Sequence, residues 1–164
     1  MRRALALVSL VALSVGATTA QAQAKANFAG TWTVVADPAA PAPAPGRGGG
    51  GMLGQGATIT QDAKAITITR TGPNGEIKSS YNIDGSESKN TVMGRGGAAT
   101  EQTSLGKWDG NKFVITTSQS FNGNNFTTTT SMWLDANGNL VVEREQPGRE
   151  GGAPTKTTQT YKKG

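Results

Sequence analysis

The chain contains neither histidine nor cysteine, so the Ser-His-Asp relay, Cys-His nucleophiles and the usual imidazole or thiolate metal sites are excluded in their common forms. Carboxylate, lysine, tyrosine and hydroxyl chemistry is what remains. The carboxylates do not pair as a general acid and base would. Asp62, Asp84, Asp109 and Asp135 stand at turn positions, while Glu143 and Glu145 are two residues apart and therefore share one strand face, which reads as solvent-facing. The run from Asp135 to Asn139 begins like a calcium loop but lacks the later ligands and the terminal glutamate such a loop needs. No catalytic residue, metal or cofactor is expected, and the polar residues to follow are those that could bind.

What positions them is a series of short runs with period two, the signature of half-buried strands. They span 31–36, 57–61, 65–71, 76–83, 86–92, 99–107, 112–121, 125–134, 140–146 and 154–162, and Thr, Ile, Val and aromatic residues dominate them. No mature segment shows a helical period. The expected fold class is all-β, an antiparallel up-and-down meander of about ten strands closing into a barrel; an open meander or a β-sandwich is the alternative.

In such a meander alternate connections share an end. The even-numbered ones are tight and acidic, built on Asp62, Asp84-Gly85, Asp109-Gly110 and the Asp135 to Gly138 turn; Asx-Gly pairs supply the backbone angles that short hairpins demand. The odd-numbered ones are glycine-rich, and three carry an arginine: Arg47, Arg95 and Arg149. At one end these would form a basic rim; equally, Gly and Arg serve as plain soluble loop residues. The first of these connections is a Pro/Ala/Gly-rich insert at about 38–55, expected to be disordered because Pro-Ala favours extended chain and glycine keeps the rest mobile.

Alternation assigns Trp32, Ile59, Ile66, Ile68, Ile77 and Tyr81 to the inside, and Phe113, Ile115, Phe126, Met132, Leu140, Val142 and Tyr161 with them. Continuing the same faces places Arg70, Gln119, Arg144 and Gln159 inside or near the mouth. The lumen candidates are thus Trp32, Arg70, Tyr81, Gln119, Arg144, Gln159 and Tyr161. A buried arginine needs an acidic partner, so Arg70 and Arg144 are paired in the wall, open to a ligand anion, or at the rim with the head group in water.

The N-terminus reads as a secretory signal at 1–24: Arg2 and Arg3, an apolar run from Ala4 to Val15, then small residues offering two Ala-x-Ala sites. The expected compartment is periplasmic or secreted, and the run is too short for stable membrane insertion. Cleavage removes Arg2 and Arg3 and lowers the formal charge from +5 to +3, too near neutrality to argue for a nucleic-acid partner. Residues 25–164 then form one domain, without disulfides to support its core.

The segment Phe28-Ala29-Gly30-Thr31-Trp32 resembles the F-x-G-x-W opening of lipocalins and fatty-acid-binding proteins, the calycin barrels. Lys107-Trp108-Asp109-Gly110-Asn111, Asn139 to Glu143 and Thr160-Tyr161-Lys162-Lys163 are similar in order to the last strands of the fatty-acid-binding branch. The Gly-Thr-Trp start also resembles that of small exported bacterial barrels of uncharacterised role. The resemblance implies a lipocalin-like barrel in which Gly30 permits close backbone approach and Trp32 packs at the closed end. It also implies an Arg-x-Tyr on the last strand to hold a ligand carboxylate; the matching positions here are Gln159 and Tyr161, and the Pro/Ala/Gly insert stands where the family has its helical lid.

Two functions fit these residues. One is an exported, non-enzymatic barrel binding a small hydrophobic, amphipathic or anionic ligand in its lumen. The other is an envelope or interaction protein with a solid core, no lumenal ligand, and threonine-rich outer faces or Arg-Gly loops as its contact surface.

Overall fold

The computed structural model describes residues 25–36, 52–72, 75–93, 99–121, 124–148 and 152–164. The expected signal segment at 1–24, residues 37–51 of the insert, and Arg47, Arg95 and Arg149 of the expected rim lie outside them. Ten strands follow: β1 (Gly30–Val34), β2 (Gly56–Gln61), β3 (Ala65–Gly72), β4 (Gly75–Asn82), β5 (Asp84–Met93), β6 (Ala99–Asp109), β7 (Lys112–Phe121), β8 (Asn124–Leu134), β9 (Leu140–Gln146) and β10 (Thr155–Lys163). They form one antiparallel sheet in the order β4-β3-β2-β1-β10-β9-β8-β7-β6-β5. First and last strands pair, with Trp32 opposite Lys163 and Val34 opposite Tyr161. That pairing removes the open-meander alternative and leaves a nearly closed barrel whose one gap lies between β4 and β5.

At this gap the backbone ladder stops and side chains replace it. Asn90 Oδ1 accepts from the Ser80 amide at 2.7 Å while Asn90 Nδ2 donates to the Ser80 carbonyl at 3.0 Å. One turn of the pleat lower, Ser88 Oγ accepts from the Asn82 amide at 2.7 Å. Both bridging side chains, Asn90 and Ser88, are buried, so Ser80 and Asn82 on the edge of β4 are satisfied without a partner strand. The approach needs Gly106 on β6. A Cβ there would collide with the Asn82 carbonyl and stand 2.6 Å from Phe113 Cζ.

Alternation decides the core because successive side chains point to opposite faces. Trp32, Ile59, Ile66, Phe113, Ile115, Met132, Leu140 and Tyr161 are inward and buried, each contributing about 1.5–3 kcal/mol relative to exposure. The Trp32 indole N–H donates to the Phe28 carbonyl at 2.8 Å, and Lys163 Nζ lies 5.7 Å from the Trp32 ring centroid. Gly30 adopts φ 138°, an angle that side-chain-bearing residues rarely take, which gives the Gly-x-Trp spacing its local reason; a Cβ there would also displace the flexible end of Lys163. Residues 52–55, which composition assigns to the disordered insert, instead form a turn: Leu53 is fully buried in the core, and the Gly54 carbonyl lies 3.2 Å from the Tyr161 hydroxyl. Burial of one leucine holds that end of the insert in place.

The even-numbered turns close one end, called the base here. Asp62 Oδ1 accepts from the Lys64 and Ala65 amides at 2.7 and 2.8 Å, and Asp84 Oδ1 from the Ser86 amide and hydroxyl at 2.9 and 2.6 Å. Asp135 Oδ1 accepts from the Asn137 and Asn139 amides, and Oδ2 from Asn139 Nδ2 at 3.0 Å. Gly138 follows at φ 78°, an angle that favours glycine. The odd-numbered connections all leave strand ends at the opposite end, the mouth.

Two measurements check this account. Asn90→Ala strips the Ser80 amide and carbonyl of their partners; it should destabilise the barrel by about 1–3 kcal/mol in urea unfolding and speed hydrogen exchange at the Ser80 amide, while exchange within β7 and β8 stays slow. The turn hydrogen bonds hold three aspartates below the ordinary value of 3.8: for Asp62 the Lys64 amide is the main cause, for Asp84 the Ser86 hydroxyl, for Asp135 the Asn139 side-chain amide. Their stabilisation is therefore present above about pH 4 and lost as pH falls through the lowered folded values. The thermal midpoint should drop in that acidic window, and replacing all three by Asn should flatten the drop.

Candidate functional site

The inward faces divide at mid-height. Below, the base is sealed: Phe28, Phe113 and Ile115 are wholly inaccessible and Trp32 nearly so, and Leu53, from the β1–β2 connection, is buried in the same core. Above, the pattern of residues continuing the same faces is polar. Register places Arg144 opposite Thr130 on β8 and Thr157 on β10, Gln119 opposite Phe126, Ser104 opposite Thr117, and Arg70 opposite Ile77. Phe126 points inward yet is 40% exposed, and Arg70, Gln119, Arg144 and Gln159 are all partly exposed. Inward side chains that water can reach mean that the mouth half is open.

Of the seven lumen candidates, Trp32, Tyr81 and Tyr161 face inward but are buried, Trp32 as part of the base with no surface left for a ligand. The four others line the open half. Arg70 and Arg144 rise from well-separated strands, β3 and β9, yet both act on one group. Burial pushes the Tyr81 hydroxyl above its ordinary value, and the Ser79 hydroxyl and then the Arg70 and Arg144 charges pull it back. Burial pushes Tyr161 up to about 12, again with Arg70 opposing. Partial burial lowers the Arg144 guanidinium, which Tyr81 offsets.

Neither arginine has a carboxylate partner among the described residues, whose ion pairs are Lys89–Glu101 and Lys156 with Glu143 and Glu145, all on outer faces. Glu143 and Glu145 thus face solvent, paired with a lysine at 3.6 and 3.1 Å. Arg144 is steadied by the Gln146 side-chain oxygen, which accepts from its Nε and Nη1 at 3.2 Å in the amide orientation that satisfies both residues. Gln159 is committed to Tyr161, whose hydroxyl donates to its Oε1 at 2.7 Å.

No family model and no curated protein matches the chain. Among solved structures, zebrafish ileal bile acid-binding protein complexed with cholic acid aligns with a TM-score of 0.54 and 19% identity, covering 84% of this chain and 98% of that one. The fold is fatty-acid-binding-protein-like. Within that fold, the positive charge sits on β3 and β9, while β10 carries Gln159.

Sequence reasoning missed Gln102, Ser104, Ser88 and Asn90 as inward residues. Their strands, β5 and β6, are polar on both faces, and only pairing with neighbours reveals which face is inside. A concavity of about 320 Å³ lies against β1 to β4, where Thr31, Thr33, Thr58, Thr69, Thr71 and Glu76 project from the outer faces and Trp32, Ala57 and Arg70 also contribute to its lining.

Tyr81 and Tyr161 are the only tyrosines of the chain, so tyrosinate absorbance reads the lumen directly. Titration should show both tyrosines ionising above the ordinary value of 10.0, with Tyr161 near 12. Because both folded values are raised, stability is full below about pH 10 and falls as pH rises toward 12. Arg70→Gln should move both tyrosines further up.

Proposed function

We propose that this chain is an exported, non-enzymatic barrel that binds a small molecule in the mouth half of its lumen. The observation that carries the reading is the contrast within one barrel between a sealed apolar base and inward side chains that stay accessible above it. Concave sites with a few converging polar groups are where small ligands bind. The zebrafish protein, which shares the fold and is complexed with cholic acid, supports the same reading. The ligand would be amphipathic rather than wholly hydrophobic, since Ile77 and Phe126 offer it apolar contact among arginine, glutamine and threonine. The signal-like segment at 1–24 supports export.

One observation favours the second reading, an envelope interaction protein without a lumenal ligand: the concavity of about 320 Å³ against β1 to β4 is lined in part by outer-face threonines. Native mass spectrometry of protein purified from its own periplasm separates the two. The expected result is a mature chain beginning at Lys25 with a co-purifying small molecule, released by mild denaturation. A cleaved chain that carries no adduct, and that takes up none from a periplasmic extract, would favour the interaction protein.

A further inference from the structure

The ligand's chemical class can be narrowed from three features of the lumen, an inference that rests on the small-molecule reading above. The first is charge. Reading the inward register positions of all ten strands, the described residues place two guanidiniums inside, Arg70 and Arg144, and no carboxylate. Two like charges partly withdrawn from water, and without counter-charge, favour an anion between them. They rise from well-separated strands, β3 and β9, and both charges act on the inward Tyr81 hydroxyl, so a single anion in the lumen can be held from two sides.

The second is the lining. Around the arginines the inward positions are Gln102, Thr117, Gln119, Thr128, Thr130 and Thr157. Of these only Thr117 bonds another described side chain, the Ser104 hydroxyl at 2.9 Å. Thr128 and Thr130 are buried in the wall, while Gln102, Gln119 and Thr157 remain accessible and are left to solvent or to a ligand able to replace it. A buried methylene gains about 0.8 kcal/mol only against apolar wall, and covering an unpaired hydroxyl or amide with one costs more than that. The third is depth. The apolar base is filled by Trp32, Phe113 and Tyr161, and Leu53 is packed into the same core from the β1–β2 connection, so an acyl chain has no apolar channel to descend.

We propose that the lumen is a site for a polyhydroxylated organic anion, of the sugar-acid or sugar-phosphate class, held by Arg70 and Arg144 with its hydroxyls on the threonine and glutamine lining. Ile77 and Phe126 supply the small apolar surface on which a sugar ring or its substituent can rest. Tyr81 and Tyr161, kept protonated by burial, add no negative charge to oppose it.

Isothermal titration of the mature protein with glucuronate, glucose 6-phosphate, glucose, dodecanoate and cholate tests the class. Glucuronate or glucose 6-phosphate should bind, with affinity falling as salt rises, and which of the two binds more tightly assigns the anion as carboxylate or phosphate. Glucose should bind at least tenfold more weakly than the better anion. Arg70→Gln and Arg144→Gln should each weaken the anion about tenfold to a hundredfold, and Arg144→Lys should retain part of the affinity. The raised tyrosine titration would show that each variant keeps its barrel. Tighter binding of dodecanoate or cholate than of both sugar anions, or variants that bind the anion unchanged, would overturn the proposal. A co-purified adduct that is neutral or a fatty acyl chain overturns it too but leaves the small-molecule reading standing, whereas no adduct and no binding of any probe removes both.

Discussion

The side chain of Asn90 bridges the one place where the sheet has no ladder, and the shape of the molecule depends on that bridge. A ten-strand meander leaves backbone donors and acceptors exposed wherever two edges fail to pair, and an exposed edge is both costly when buried and prone to pairing with other chains. Here β1 and β10 pair directly, so the problem is concentrated between two strands that are neighbours in sequence. A carboxamide can stand in for a strand because it offers one acceptor and one donor, as a peptide group does. Asn90 presents both to Ser80, and Ser88 repeats half of the device at Asn82. Asn82 reciprocates by donating through Nδ2 to the Glu87 carbonyl at 2.8 Å.

This closure has a steric condition and a chemical result. Gly106 lets β6 approach the end of β4, and the bulge between Asp84 and Glu87 turns β5 to meet it. With the wall closed there, the apolar half packs on itself while inward side chains of the polar half stay partly exposed. Trp108 sits at the base of this arrangement, stacked on Phe28 with centroids 5.6 Å apart and tilted against Phe113 at 5.3 Å. The same alternation that builds the core therefore also places Arg70 and Arg144 above it, by changing residue type along an unbroken inward face.

The strands were legible in the sequence almost to the residue because one face of most of them is apolar and the other polar, which fixes side and register together. Arg70 and Arg144 could be placed inside for the same reason, as continuations of the faces bearing Ile66 and Ile68, and Leu140 and Val142. Strands β5 and β6 carried no such sign: Ser88, Asn90, Gln102 and Ser104 are polar residues facing inward, and alternation of polar with polar has no direction. The gap between β4 and β5 was invisible because pairing is a relation between strands and leaves no mark in either one alone. Leu53 was hidden by composition, a lone apolar residue at the end of a glycine-rich stretch whose average says nothing about where one side chain goes.

The aspartate turns at the base have a consequence beyond their own stability. Three of them fix their local geometry through a carboxylate that bonds backbone only a few residues away, so the geometry of the wall is specified at one end of the barrel. The connections at the other end need only span short distances between strand ends, and loop closure costs little more as such segments lengthen. Wall and rim can therefore diverge separately: apart from the Leu53 turn, which packs into the core, a lineage could exchange the mouth segments while inheriting the scaffold unaltered.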